Sequence, residues 1–427
     1  MKTMTKRIFA VLLASLLLLG LMACAKDEAP VGDDPATQTQ TSDTTATPQD
    51  TEATTPPADE DDEPTTPPAD DENNKENNEP PAPVAKTTLI LNQNAQGVAI
   101  LGVRGVASAD GIWCDWAGSG FEFNVDLPQA GDIGFMLNTT GNCCFRVFVD
   151  GTAHNNTDGT PYYKVNADAL AMNVKNVAAG KHLISVVRCD DGSAGTALFN
   201  KAVIAGTHVT TLAEKDLYVE FVGDDITLGK GLNGTADGYD AALGFAYKTA
   251  VALNAEYSIT ALAGQGVMTG DYAFGSSYDY ASPKHQADAK YGFEKKADIV
   301  VVALGTNDAL ADNTENFQKK YFELLYTIRQ RNGEDCKIYC VYSGSEGLSA
   351  EVVAACQSTG GEAAGFYAVE WTGVTGTSYP TAQQQADFAT ALTARINATK
   401  DNEITAQPMF SGSGVVIDWK QGLVAAA

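Results

Sequence analysis

The chain has 427 residues, with 54 Asp and Glu against 28 Lys and Arg and a net charge of −26. With no basic surplus to hold phosphates, a nucleic-acid partner is excluded. The 44% hydrophobic content is enough for two or three folded domains.

Residues 1–24 read as an export signal: Lys2, Lys6 and Arg7 precede an apolar run from Ile8 to Met22. The ending Leu21-Met22-Ala23-Cys24 resembles a bacterial lipobox. That resemblance implies lipidation of Cys24, anchoring to a membrane and an extracytoplasmic location. Residues 25–86 are rich in Thr, Pro, Asp, Glu and Asn, and Thr-Thr-Pro-Pro-Ala-Asp occurs at Thr54 and again at Thr65. Such a segment buries too little apolar surface to fold, so it reads as a disordered acidic spacer. As a flexible coil it would span about 45 Å.

Residues 87–212 carry short alternating runs. Phe121, Phe123 and Val125 fall on one strand face, and Phe145, Val147 and Val149 fall on another that ends at Asp150-Gly151. Recurrent turn signals without a long helical pattern predict an antiparallel β-sandwich. Trp113 and Trp116 are candidate glycan-stacking platforms, although aromatics of this kind also serve as packing residues. Cys114, Cys143, Cys144, Cys189, Cys336, Cys340 and Cys356 are odd in number and lack paired spacing, and read as small core residues.

Residues 213–427 alternate strands with helices. Strands are expected at Tyr218 to Val222, Tyr257 to Leu262, Ile299 to Leu304, Lys337 to Tyr342 and Phe366 to Glu370. The unbroken apolar run from Ile299 to Leu304 suits a central parallel strand. Helices are expected through Phe317, Tyr321, Leu324, Leu325 and Ile328, capped by Asp312 and Glu315, and from about Thr381 to Asn397. The pattern predicts a three-layer, flavodoxin-like α/β domain with its site at the strand C-terminal ends. Gly223-Asp224-Asp225 follows the first of these strands and is expected to turn directly into a helix, where free N–H groups favour negative charge.

This turn resembles the first signature block of the SGNH-type esterases, which runs Gly-Asp-Ser with a nucleophilic Ser. Here the nucleophile position is Asp225. The stretch from Tyr257 to Val267 is similar to the second block, whose Gly donates to the oxyanion; Gly264 is the first choice and Gly266 the second. Gly305-Thr306-Asn307-Asp308 matches the third block, with Asn307 as another oxyanion donor. The segment from Gly111 to Phe123 resembles the jelly-roll domain of family 2 carbohydrate esterases. That likeness implies polysaccharide as substrate class and partner.

Alignment on Pro380 and Ala389 places Tyr379 where the family has its catalytic His, and no His follows His285. Residues 373–378 contain no carboxylate to orient a base, and the nearest is Glu370. An acyl-transfer nucleophile needs a base within hydrogen-bond reach. A carboxylate nucleophile and a phenol base meet that need poorly. Losing either partner costs on the order of a millionfold in rate. The expectation is a glycan-binding protein with a disabled esterase site, in which Asp225 fills the oxyanion position with a lowered pKa or serves as a helix cap. The alternatives are an active esterase using displaced Ser276, Ser277 and His285, and a structural or protein-interaction lipoprotein. No cofactor is expected, and Asp224, Asp225 and Asp308 lack the His partner that would argue for a metal.

Overall fold

The computed structural model describes residues 84–104, 106–168, 170–281, 290–344, 347–372 and 379–406, and the backbone of 415–418 and 422–425. Cys24, the export signal, nearly all of the spacer, His285 and residues 373–378 lie outside the described residues. Glu79–Ala427 is one compact unit.

Its first part is built from twelve strands: β1 (Thr87–Ile90), β2 (Val98–Leu101), β3 (Ile112–Trp113), β4 (Gly120–Leu127), β5 (Gly131–Thr139), β6 (Cys143–Val149), β7 (Thr152–His154), β8 (Tyr163–Val165), β9 (Ala171–Val177), β10 (Gly180–Arg188), β11 (Ala197–Ile204) and β12 (Thr207–Val209). They form two antiparallel sheets. One runs β1-β11-β5-β9 with β3 on β11, and the other β12-β4-β10-β6-β7 with β2 on β4 and β8 on β6. Period-two alternation turns Phe121, Phe123, Val125, Phe145 and Val147 into one core shared with Phe135 and Phe199. Phe121 and Phe145 both meet Phe199 edge to face, with ring centroids 5.1 Å apart. Asp150 and Gly151, at φ of 52° and 78°, make the two-residue turn between β6 and β7.

The second part contains β13 (Tyr218–Gly223), α1 (Phe245–Ala252), β14 (Glu256–Ala261), α2 (Phe274–Ser277), β15 (Ile299–Ala303), α3 (Thr306–Leu310), α4 (Phe317–Asn332), β16 (Lys337–Tyr342), α5 (Ser349–Ser358), β17 (Phe366–Glu370) and α6 (Ala382–Thr399). The five strands pair in parallel in the order β14-β13-β15-β16-β17. Along β15, Val300 and Val302 enter the core on one face and Ile299 and Val301 the core on the other. That explains the lack of polar residues in the run. A last hairpin pairs β18 (Val415–Asp418) with β19 (Gly422–Ala425).

Two local expectations are corrected. No helix follows β13: residues 224–240 turn repeatedly, helped by Gly229 and Gly231 at φ of 70° and 82°, and α1 begins only at Phe245. Asp312 and Glu315 do not cap α4. Asn316, in left-handed conformation at φ 65°, occupies the cap position without a side-chain bond. The capping box is at α6, where Thr381 and Gln384 satisfy each other's backbone N–H.

A buried ion pair joins the two parts. Arg104 Nε donates to Glu220 Oε1 of β13 at 2.7 Å, with both side chains 1% exposed. Glu220 also accepts from Thr260 and from the Tyr278 hydroxyl, and Arg104 donates to the Tyr278 and Tyr280 carbonyls. Removing one member of such a pair leaves a buried charge uncompensated. Arg104→Met is therefore expected to lower unfolding free energy by about 3–5 kcal/mol in urea titrations. Arg104→Met/Glu220→Met should lose less than the single variant, and an equal or larger loss would contradict the pairing.

Candidate functional site

The parallel strands end on one rim, where the turn after β13, the loop after β14 and the start of α3 meet. Asp225 is the centre of that cluster and is 3% exposed. Its Oδ2 accepts from the Gly264 backbone N–H at 2.7 Å and from Asn307 Nδ2 at 3.0 Å. Its Oδ1 accepts from the Tyr239 hydroxyl at 2.8 Å and faces Lys230 Nζ at 3.3 Å. Burial pushes the Asp225 carboxyl up. The Asn307 amide, Gly264 N–H, Tyr239 hydroxyl and Lys230 ammonium outweigh it and hold the pKa below the ordinary carboxylate value.

The structure thus brings Asp225, Gly264 and Asn307 together. Tyr379 also reaches the cluster: Lys230 Nζ lies 3.3 Å from its hydroxyl and 4.7 Å from its ring centroid. Burial opposes the Lys230 charge, but Tyr379 and Asp225 together raise its pKa.

The remaining expected residues are placed elsewhere. Asp225 does not cap a helix; Asp224 Oδ1 accepts the nearby Ile226 N–H instead. Trp116 is 5% exposed, packs in the core of the α/β part and donates its indole N–H to the Ala281 carbonyl, which rules it out as a stacking platform. Trp113 is half-buried in β3 opposite Leu198. Ser276 and Ser277 lie in α2, the first bonded to the Ala273 carbonyl and the second buried.

Lys230 and Tyr239 went unrecognised in the sequence. Both belong to the irregular 224–240 loop, whose closure comes from backbone bonds. Lys230 N donates to Asp225 O, Asp240 N donates to Gly229 O, and Lys230 and Tyr239 form an antiparallel bridge. Arg146 of β6 pins this loop, because its guanidinium lies 2.6 Å from the buried Asp240 carboxylate beside Tyr239. The Tyr162 hydroxyl donates to the same oxygen at 3.0 Å.

Asp308 has a comparable duty on the opposite side. Its carboxylate accepts the backbone N–H groups of Val267, Met268 and Thr269 at 2.8–3.0 Å. That fastens the loop carrying Gly264. Gly266 allows the approach, since a Cβ there would lie 2.3 Å from Asp308 Oδ2. Among the described residues no group of three or more His, Cys, Asp or Glu is arranged to hold a metal.

Asp224 differs from its two acidic neighbours. It is fully buried, and its Oδ2 has no partner among the described residues. Burial, with Asp225 and Asp308 nearby, pushes its pKa up to about 8. In the unfolded chain the carboxyl ionises near pH ~4. Between those values the native state holds a proton that the unfolded state has released, so its contribution to stability is complete at low pH and declines as pH rises toward 8. Asp224→Asn, which resembles the protonated acid, should flatten the wild-type fall in Tm between pH 5 and 8. Parallel wild-type and variant Tm curves across that range would overturn this assignment.

No family model and no curated protein matches the chain. Solved structures match at high probability. A family two carbohydrate esterase from Clostridium thermocellum, in complex with cellohexaose, is 25% identical with a TM-score of 0.60; the match covers 71% of this chain and 98% of that one. A family two carbohydrate esterase from Cellvibrio japonicus is 15% identical with a TM-score of 0.62, covering 74% and 99%. An acetyl xylan esterase from the rumen bacterium Butyrivibrio proteoclasticus is 18% identical with a TM-score of 0.61, covering 74% and 98%. The chain has a carbohydrate esterase-like fold.

Proposed function

We propose that this chain is a degenerate SGNH carbohydrate esterase that binds a glycan in its former active-site cleft without hydrolysing esters. In this reading the two antiparallel sheets are a jelly-roll domain of residues 87–212, and the parallel sheet is the flavodoxin-like core of an SGNH domain of residues 213–427. The export signal ends at a lipidated Cys24, and the acidic spacer holds the folded part away from a bacterial membrane surface.

One observation carries the proposal: Asp225 Oδ2 already accepts the two donors, Gly264 N–H and Asn307 Nδ2, that would stabilise a developing oxyanion. A substrate oxygen acquiring negative charge would have to displace a carboxylate that carries it permanently. Tyr379, at the position of the family's base, is tied to Lys230 rather than to a nucleophile. No hydroxyl nucleophile stands at Asp225, so the attack that opens acyl transfer has no agent. What remains is a polar, partly aromatic cleft at the strand ends, a place where open parallel sheets bind ligands. The bound cellohexaose of the Clostridium thermocellum neighbour supports polysaccharide as the ligand class.

The decisive comparison is turnover of an aryl acetate and of acetylated xylan by wild type and by Asp225→Ser/Tyr379→His. The wild type is expected to stay at the buffer background. The double variant, with its hole emptied and a hydroxyl and imidazole restored, should rise above it. Robust wild-type turnover that is lost on substituting Ser276, Ser277 or His285 would overturn the proposal.

A further inference from the structure

Beside the Asp225 cluster, the C-terminal ends of β15 and β16 open onto a cavity of about 300 Å³. Its apolar wall comes from Leu304, Ala309, Leu310, Val341, Leu348 and Trp371. Tyr379 lines the same cavity and also meets Lys230, so the apolar space and the ammonium share one boundary. Trp371 is held in place by stacking on Phe388, with centroids 4.1 Å apart and planes 8° from parallel. Leu310, 59% exposed, leaves an apolar side chain at the rim.

The size of the cavity and the donors beside it narrow the ligand. At about 30 Å³ per water, the volume accommodates roughly ten water-sized groups, far more than the few non-hydrogen atoms of an acetyl substituent. An apolar pocket of this size beside a few directed polar groups is the usual form of a site for a small organic group. Lys230 has three N–H donors, and its two partners among the described residues, Asp225 and Tyr379, both stand at a long 3.3 Å. That geometry leaves donor capacity for a neutral carbonyl oxygen beside Tyr379, outside the hole that Asp225 occupies.

We infer that the cleft recognises a glycan carrying an apolar acyl substituent much larger than acetyl, aromatic or medium-chain, with the acyl body in this cavity and its ester carbonyl accepting from Lys230. The inference rests on the non-hydrolytic glycan site proposed above and names its ligand more closely. The ester survives binding because its carbonyl meets an ammonium rather than an oxyanion hole with a nucleophile beside it.

Titration calorimetry with the whole chain tests this, using one xylo-oligosaccharide in bare, acetylated, feruloylated and octanoylated forms. The feruloylated or the octanoylated form is expected to bind at least tenfold more tightly than the bare and acetylated forms, and whichever is tighter identifies the acyl type. Ala309→Phe, which fills the cavity, and Leu310→Glu, which charges its rim, should both erase that preference. Leu310→Glu changes an exposed side chain and keeps the test valid if the filled variant does not fold. Equal affinity for all four forms would overturn the acyl assignment and leave glycan binding standing. Affinity for none of them would overturn both.

Discussion

The architecture of the rim depends on a buried carboxylate matched to an unusual number of donors. Asp225 has a backbone N–H and a side-chain amide on one oxygen, and a phenol and an ammonium around the other. Charged groups remain ionised away from water only when their solvation is replaced this fully. The arrangement is self-consistent at the level of charge: Lys230 neutralises what Asp225 introduces, and the Tyr379 hydroxyl lies 3.3 Å from the ammonium. The rim thus holds a fixed negative charge in balance with a neighbouring positive one.

The donors keep their places because each is secured from a different direction. Asp308 gathers three consecutive N–H groups and so fixes the loop after β14, with Gly264 on it. The opposite loop, carrying Lys230 and Tyr239, is anchored through Asp240 to Arg146 in the antiparallel part. Asp224, buried near Asp225 and Asp308 and accepting from the Ile226 N–H, is relieved by retaining its proton. The three adjacent carboxyl groups therefore do different things: Asp225 gathers four donors, Asp308 ties a loop and Asp224 stays neutral.

Much of the fold was legible because its signals are periodic. The continuous apolar run of β15 reflects burial on both faces, and the alternation in β4 and β6 reflects burial on one. The site was legible only where a short motif names the residue, as at Asp225, Gly264 and Asn307. Lys230 and Tyr239 approach Asp225 through glycine turns at positive φ, and such turns carry no repeat to read. The same turns undid the expected helix after β13. The two readings of Trp116, packing and stacking, stayed open for another reason: an indole that will be buried and one that will be exposed look alike until its N–H partner, here the Ala281 carbonyl, is known.

The Arg104–Glu220 pair bears on how the molecule can be divided. Its cation lies in the chain segment after β2 and its anion in the middle of β13, while Val103 N donates to the Tyr257 carbonyl of β14. The antiparallel part is thus stitched into the edge and interior of the parallel sheet. Cleaving the gene between β12 and β13 would give neither a detachable binding module nor a free-standing α/β domain. It would give two fragments with mismatched buried charges, which recover a common structure only when both are supplied together.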